Sequence, residues 1–441
     1  MSELEIGGLI LVATTLVLVS GLPIAFGLTA VSVGFLWTFA GPSSLNGLAR
    51  TFLDELSGFA LLSLPMFVLL GALIGATRAG TEIYEALHRW LVRVPGGLAI
   101  ANIGACGLFA ALSGSSPATA AAIGRVGVPE MLRRGTPAHL ATGAICAGGT
   151  LGILIPPSVT MILYGVATDT SIGRLFIAGV VPGIMLVIIF CIYAWAVSKW
   201  GAAGAATVAR VAQERVYTLG EKVRASLPVL PLFGIIAMIV YAMYGGIATP
   251  SEIAAIAAFL AFVYVAAYYR VVTRERLWPV FGAAVRESCM IMLIIAASAL
   301  FSYMMSLLYV TQSVADLFVS VEMNRWVMLA VINVFLLVGG CFLPPVALIL
   351  MTMPILQPVL EAQGFDMIWF GVLMTINLEI GLITPPVGLN LYVLRSVAPE
   401  VPLSTVLWGS MPFVVIMILF MVLMCVFPGI ALWLPNMMFG A

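Results

Sequence analysis

A seven-residue phrase occurs twice inside apolar segments and constrains the fold more than any other feature of the chain. Gly-Ile-Leu-Ile-Pro-Pro-Ser at 152–158 returns as Gly-Leu-Ile-Thr-Pro-Pro-Val at 381–387. A glycine followed by a Pro-Pro pair cannot continue a regular helix, because proline lacks a backbone donor and restricts the residue before it. In a bilayer, backbone groups freed in this way survive only where protein or a water-filled cavity satisfies them. The phrase therefore predicts two interrupted membrane helices at corresponding places in two halves of the chain.

The composition independently indicates a membrane protein. Hydrophobic residues make up 62% of the chain, charged residues make up 9%, and the mean hydropathy is +1.16. A soluble domain of 441 residues could not bury so much apolar surface. The N-terminus lacks the basic region of a cleavable signal, since Glu3 and Glu5 precede an apolar stretch that runs from Ile6 to Ala40. The net charge is zero, which gives no reason to expect a nucleic-acid partner, and the six cysteines show no metal or disulfide spacing.

The charges between the apolar segments predict the topology. Five polar segments hold 16 of the 19 lysines and arginines, and the positive-inside rule places these segments in the cytoplasm. Their cations are Arg78, Arg89 and Arg93; Arg125, Arg133 and Arg134; Lys199, Arg210, Arg215, Lys222 and Arg224; Arg270, Arg274, Arg276 and Arg286; and Arg395. The predicted apolar spans are 5–39, 57–77, 98–124, 139–165, 175–198, 227–244, 249–269, 288–310, 327–360, 367–394 and 405–436.

Segment 98–124 begins and ends on the cytoplasmic side, so it cannot cross the membrane once. Its 27 residues are interrupted by Ser-Gly-Ser-Ser-Pro at 113–117. Two limbs of about 12 residues, rising 1.5 Å per residue, reach about 18 Å, which is roughly half of a bilayer. The segment is predicted to be a re-entrant helical hairpin with a small, polar tip near the midplane.

The same reasoning gives the second half the opposite orientation. Span 288–310 leads outside, 327–360 is interrupted by Phe-Leu-Pro-Pro at 342–345, and 367–394 runs inward to Arg395. The second hairpin therefore enters from outside, which predicts an inverted-topology repeat. The distance from Ser113 to Gly152 and from Phe342 to Gly381 is 39 residues in both halves, with a common offset of 229.

The predicted fold is an all-α polytopic membrane protein with two re-entrant hairpins and two broken transmembrane helices. Interrupted segments at matching places in two halves are typical of the binding site of a secondary transporter. The predicted divisions are N-terminal membrane helices at 1–56, a first repeat at 57–200 (hairpin 98–124, broken helix 139–165), a cytoplasmic linker with scaffold helices at 201–285, and a second repeat at 286–441 (hairpin 327–360, broken helix 367–394).

Motifs throughout the chain resemble the large membrane subunit of the tripartite ATP-independent periplasmic (TRAP) transporters. They lie at 111–124, 149–158, 170–173, 178–183 and 377–392, the last reading Asn-Leu-Glu-Ile-Gly-Leu-Ile-Thr-Pro-Pro-Val-Gly-Leu-Asn-Leu-Tyr. The resemblance implies a sodium-driven importer of small organic acids, such as a C4-dicarboxylate or sialic acid, in the bacterial inner membrane. It also implies an elevator-type transport domain like that of the wider ion transporter superfamily, and sodium as the coupling ion with no other cofactor.

The family resemblance further implies two partners, a small four-helix membrane subunit and a periplasmic substrate-binding protein. The chain leaves no room for a fused small subunit, so we expect that partner to be a separate protein. One departure is at Pro344, where family members often carry an acidic residue. The second tip is therefore expected to bind its ion through backbone carbonyls alone, or in a different way.

The candidate ion ligands are hydroxyl and carbonyl oxygens, which suit a hard cation. Half-helix ends in the breaks would add free carbonyls. Close helix packing by small residues and a purely structural kink are the alternative interpretations. Only Thr384 adds a hydroxyl where its repeat mate Ile155 has none, so the two sites are not expected to be chemically equal. The predicted sodium ligands are Ser113, Ser115, Gly152 and Ile155 in the first half, and Phe342, Gly381 and Thr384 in the second.

The candidate substrate contacts lie beside the same tips and breaks, where half-helix N-termini can face an anion. They are Ser116, Pro157, Pro386, Gly388 and Asn390. Glu379 is the only acidic residue deep in an apolar run, and a buried carboxylate indicates function by default. It is predicted to support an ion site together with Asn377. Its alternative is a stabilising pair with a neighbouring helix or a water-filled cavity.

Three other functions are alternatives to sodium-driven import. A membrane-embedded hydrolase with Ser115 as nucleophile lacks a histidine at membrane depth, paired carboxylates and a His-Glu-x-x-His motif. An ATP-driven pump lacks a phosphate-binding loop, since neither Lys199 nor Lys222 follows a Gly-x-x-x-x-Gly pattern. A stand-alone sodium/anion symporter without a binding protein shares the hairpins and repeats, and stays the alternative.

Overall fold

A computed structural model describes residues 2–201, 215–271, 273–320 and 324–439. The regular elements in these ranges are helices, which confirms the predicted all-α class. Arg210, which the sequence argument places in the cytoplasm, lies outside the described residues. The α-helices are α1 (Glu3–Val19), α2 (Ile24–Phe35), α3 (Leu48–Leu56), α4 (Ser63–Gly75), α5 (Ala79–Leu91), α6 (Gly97–Ser113), α7 (Ser116–Arg133), α8 (Ala138–Thr150), α9 (Val159–Ala167), α10 (Ile172–Trp200), α11 (Leu219–Ser226), α12 (Leu230–Tyr244), α13 (Pro250–Ala267), α14 (Arg274–Leu307), α15 (Val310–Ser320), α16 (Arg325–Gly340), α17 (Pro345–Ala362), α18 (Met367–Leu382), α19 (Leu389–Val397), α20 (Leu403–Val426) and α21 (Gly429–Phe439).

Six helices of the described part of the chain are long and apolar enough to cross a bilayer, and a bent pair formed by Pro42–Leu56 and Phe59–Gly75 could supply a seventh span. The prediction of a multi-pass membrane protein is therefore confirmed. The six are Ile172–Trp200, Leu219–Tyr244, Pro250–Ala267, Arg274–Leu307, Pro345–Ala362 and Leu403–Val426.

The first hairpin segment forms α6 and α7, which pack against each other. α6 ends at Gly114, whose φ of 59° lies in the left-handed region that glycine adopts at low cost. Ser115 is then extended, and Pro117 follows in the first turn of α7, where a missing N–H costs nothing.

Both helices of this hairpin are longer than predicted from the sequence. α6 has 17 residues and α7 has 18, so each spans about 26 Å rather than about 18 Å. α7 runs to Arg133, beyond the predicted boundary at 124. The boundary was set at the first cation, Arg125, but this side chain lies on the exposed face of the helix and does not interrupt it.

Both Gly-x-x-x-Pro-Pro phrases interrupt helices in the structure. α8 passes into a short 3-10 turn at Leu151–Ile153, and α9 begins after Ser158, whose Oγ accepts a hydrogen bond of 3.2 Å from the backbone N–H of Met161. In the second half α18 ends at Leu382 and α19 begins after Gly388, which has a φ of 52°. The Pro–Pro peptide bond in each break is cis.

The second hairpin segment forms α16 and α17, within two residues of the predicted limits at either end. α18 packs against α16 on one side and also contacts α8, α10 and α20. It therefore lies between the second hairpin and the helices of the first half.

α8 and α20 approach each other so closely that their backbones touch. A Cβ atom on Gly143 would lie 2.1 Å from the carbonyl oxygen of Gly409, and a Cβ on Gly409 would lie 2.0 Å from the carbonyl oxygen of His139. Only glycine allows this approach. The first broken helix is thereby held against the long C-terminal helix.

Candidate functional site

The structure brings the first hairpin tip against the first break. A Cβ atom on Gly152 would lie 2.7 Å from the carbonyl oxygen of Ser115, and one on Gly114 would lie 3.0 Å from the carbonyl oxygen of Pro157. Backbone therefore meets backbone here, and carbonyl groups of both segments gather in one place. Ile155 contributes no side-chain oxygen, and its side chain packs against Gly183 of α10.

Thr119 orients the oxygens of the first tip, and sequence reasoning did not identify it. Its hydroxyl donates to the Ser115 carbonyl at 2.9 Å and lies 2.8 Å from the Ser113 Oγ. The Ser113 Oγ also lies 3.4 Å from the Ser115 carbonyl, to which its proton can be donated, so either hydroxyl can be the donor in the Ser113–Thr119 contact. The oxygens of Ser113, Ser115 and Thr119 therefore lie together at the tip. The signal for Thr119 was its position four residues after Ser115, where a side chain can reach back to a carbonyl.

Glu379 lies on α18 of the second half but contacts the first half. Its carboxylate accepts hydrogen bonds from the Ser116 hydroxyl at 2.9 and 3.1 Å and from the backbone N–H of Ile153 at 3.2 Å. Its side chain is 1% exposed. Ser116, which is also fully buried, lies 3.3 Å from the Thr150 carbonyl as well. The role of Ser116 in binding substrate stays a prediction, and its hydroxyl is engaged by Glu379 in this structure.

The second tip contacts the second break through different groups. A Cβ on Gly381 would lie 2.5 Å from the Gly340 carbonyl carbon, and the N–H of Val387 donates to the Cys341 carbonyl at 3.2 Å. The Thr384 hydroxyl donates to the Ile380 carbonyl and lies 3.4 Å from the Cys341 sulfur. Thr384 therefore presents an oxygen at the break, with its proton directed into its own helix. Cys341 therefore belongs to the contact between the second tip and the second break, and the sequence alone did not identify it.

The two sites differ in exposure as well as chemistry. Pro156 and Pro157 of the first break are buried, whereas Pro385 and Pro386 of the second are exposed. Phe342 at the second tip is 60% exposed, so its side chain takes no part in the contact with the break. Any ion-binding role of Phe342 falls to its backbone carbonyl.

Two buried amides lie beside the second break. Asn390 is fully buried at the start of α19, and neither of its side-chain polar atoms has a hydrogen-bond partner among the residues that the structure describes. Such an amide is costly to leave unpaired, which favours a ligand there. Asn377 instead donates to the carbonyl oxygen of Asn333 at 2.8 Å and to its side-chain oxygen at 3.0 Å. Asn333 belongs to α16, so Asn377 joins the second broken helix to the second hairpin.

Comparison with known families gives a match over most of the chain. The family model "Tripartite ATP-independent periplasmic transporter, DctM component" matches residues 11–430. A Pseudomonas aeruginosa protein named as the C4-dicarboxylate TRAP transporter large permease DctM is 36% identical over 397 residues, which cover 90% of each chain.

Other relatives are named for other solutes. The sialic acid TRAP transporter large permease SiaM of Vibrio cholerae is 31% identical over 425 residues, covering 96% of this chain and 97% of SiaM. The isethionate TRAP transporter permease DctMQ of Oleidesulfovibrio alaskensis is 33% identical over 384 residues, covering 87% of this chain and 59% of that protein.

Two solved transporters share the fold at low sequence identity. The YdaH transporter of Alcanivorax borkumensis superposes with a TM-score of 0.58 at 16% identity, covering 91% of both chains. MtrF of Neisseria gonorrhoeae superposes with a TM-score of 0.60 at 14% identity, covering 89% of this chain and 85% of MtrF.

Proposed function

Because the chain belongs to the DctM family of tripartite ATP-independent periplasmic transporters, as a multi-pass permease of the bacterial inner membrane, we propose that it imports a small organic acid by symport with sodium. A small membrane subunit and a periplasmic substrate-binding protein would complete the transporter. Relatives are named for C4-dicarboxylate, sialic acid, isethionate and ectoine, and each of these solutes carries a carboxylate or sulfonate group, which supports a substrate with an acidic group.

The observation that carries the proposal is that each break lies against the hairpin of its own half, although through different hairpin residues. Gly152 and Gly381 occupy equivalent places 229 residues apart, and each lies against the hairpin of its own half, at Ser115 and Gly340. Carbonyl ends of half-helices and hydroxyl oxygens meet at both places, which is the oxygen-rich environment that sodium requires. The equivalence also supports an inverted-topology repeat whose hairpins and broken helices move together as an elevator.

The residues proposed for each role follow from this arrangement. The first sodium site would use Ser113, Ser115, Gly152 and Ile155, and the second would use Phe342, Gly381 and Thr384, with Glu379 and Asn377 supporting them. The substrate would meet Asn390 and the backbone groups of Gly388 and Pro386, and on the first-half side Pro157 and Ser116. Asn390 is the best candidate for a substrate contact, because the donor and the acceptor of its buried amide have no hydrogen-bond partner among the described residues.

Uptake by proteoliposomes tests the proposal. The chain and its small subunit are reconstituted, the binding protein loaded with a radiolabelled acid is added, and a sodium gradient, a potassium gradient or ATP is supplied. We expect uptake only with inward sodium. Equal uptake with no sodium on either side would contradict symport, and equal uptake without the binding protein would favour the stand-alone symporter.

A further inference from the structure

We propose that helix α18 couples the two sodium sites, with Glu379 of the second half acting as the positioning residue of the first site. The inference rests on the proposed function, because it assumes that the tips and breaks bind sodium. Its premise is that Glu379 forms its hydrogen bonds with first-half groups, namely the Ser116 hydroxyl and the Ile153 N–H.

These two partners lie on either side of the first sodium site. Ser116 is the first residue of α7, directly after Ser115 at the hairpin tip, and Ile153 follows Gly152 in the break. One carboxylate therefore fixes the tip and the break relative to each other. A buried hydrogen bond is expensive to lose, because its partner is left unsatisfied.

The opposite face of the same helix holds the second hairpin. Asn377 and Glu379 are two residues apart, so their side chains leave the helix about 200° apart. Asn377 binds Asn333 on α16, while Glu379 binds the first half. A shift of α18 when the second site fills would therefore be transmitted directly to the first tip and break.

Among the described residues, the first broken helix has no counterpart of this pair of side chains. The repeat mates of Asn377 and Glu379 are Gly148 and Thr150 on α8. Gly148 has no side chain and packs against Cys106. The Thr150 hydroxyl donates to Ala147 within its own helix, and its contact with the second half is a weak one, 4.0 Å from the Met417 sulfur on α20. The first broken helix therefore has no amide and no carboxylate at the positions from which α18 contacts the two hairpins.

Coupling of this kind is measured with one reporter at each site. A full-length chain without its six native cysteines carries either Ala118→Cys, on the exposed side of α7 near the first tip, or Leu389→Cys, directly after the second break. Maleimide labelling rates are recorded in membrane vesicles as sodium replaces potassium. The sodium midpoint and the Hill coefficient are then read separately at each reporter.

Glu379→Ala should raise the sodium midpoint at the Ala118→Cys reporter by about tenfold, the effect of leaving a buried hydrogen-bonding group without its partner. The Leu389→Cys midpoint should change less, and the Hill coefficient should fall towards one. Glu379→Gln keeps an acceptor for the Ile153 N–H and should shift the first midpoint by less than about threefold. Thr375→Ala is the matched control, because this buried hydroxyl bonds only to Gly371 of its own helix, and it should shift neither midpoint.

A double-mutant cycle separates positioning from direct ion binding. If Glu379 acts through Ser116, then Ser116→Ala combined with Glu379→Ala should shift the midpoint no more than Glu379→Ala alone. Shifts that multiply, a first midpoint unchanged in Glu379→Ala, or Glu379→Gln as damaging as Glu379→Ala would each overturn the coupling while leaving the sodium sites in place. A parent protein whose two reporters both ignore sodium would overturn the proposed function itself.

Discussion

Gly152 is the point at which the first break touches the first hairpin tip, so a single methyl group there tests the placement of the first sodium site. In Gly152→Ala the new Cβ would lie 2.7 Å from the Ser115 carbonyl oxygen and 2.8 Å from the Ser116 nitrogen. Both are backbone atoms and cannot rotate away. Ordinary contact begins near 3.4 Å, so the tip must retreat by about 0.7 Å.

Two opposing effects set the size of the change. Replacing glycine by alanine stabilises a protein by about 0.4–1 kcal/mol when the backbone tolerates the side chain, because the unfolded chain loses freedom. Overpacking a tight interior costs about 1–3 kcal/mol. The clash is the larger effect, and the retreating tip carries the Ser115 carbonyl and the Ser116 hydroxyl away from their places. We therefore expect the sodium concentration for half-maximal uptake to rise by about tenfold, which corresponds to about 1.4 kcal/mol.

Sodium-dependent uptake in proteoliposomes measures this shift, with the amount of folded protein quantified by gel filtration. Gly282→Ala is the control, because an added Cβ there meets no atom within 4 Å. A Gly152→Ala variant that folds normally and keeps the parental sodium requirement would show that the ion does not lie between Ser115 and Gly152.

Two further substitutions test the second half. Thr384→Val keeps the side-chain shape but removes the hydroxyl that lies at the break. It should raise the sodium concentration required for uptake by about 5- to 30-fold, the effect of losing about 1–2 kcal/mol, whereas Thr384→Ser should have a mild effect. A Thr384→Val variant with unchanged sodium dependence would show that Thr384 does not bind the ion. Asn390→Leu removes the buried, unpaired amide at nearly constant volume, and should weaken substrate uptake at least tenfold without changing the sodium requirement. If Asn390 has only a packing role, the uptake kinetics of the variant at varied substrate concentration will match those of the parent protein.

The local interruptions of the chain could be predicted from sequence because their causes are local. A Pro-Pro pair after a glycine and a glycine with a positive φ interrupt helices through their own backbone chemistry, as both Pro-Pro phrases and the glycine at 114 do here. A single proline is not sufficient, since Pro129, Pro182 and Pro354 lie inside helices. The lengths of the hairpin helices were harder to predict from the sequence. A charge such as Arg125 limits how deep a segment can lie in the membrane, but it does not end a helix.

The contacts across the molecule could not be predicted in the same way. A carboxylate within an apolar run indicates a partner, but the partners of Glu379 come from segments more than 220 residues away. The same holds for Asn377 and Asn333, 44 residues apart on different helices. Sequence identifies the polar residues that must be satisfied, and tertiary packing decides by which group.

The contact of α8 with α20 also sets an order on biosynthesis. Gly409 follows Gly143 by 266 residues, so at about 5–20 residues per second the ribosome needs roughly 15–50 s to make the partner after α8 has emerged. During that interval the glycine face of α8 has no α20 to cover it. A nascent chain stopped before Leu403 should therefore leave the glycine face of its first broken helix uncovered. Release of α20 from the translocon then completes a core that began to form in the first third of the chain.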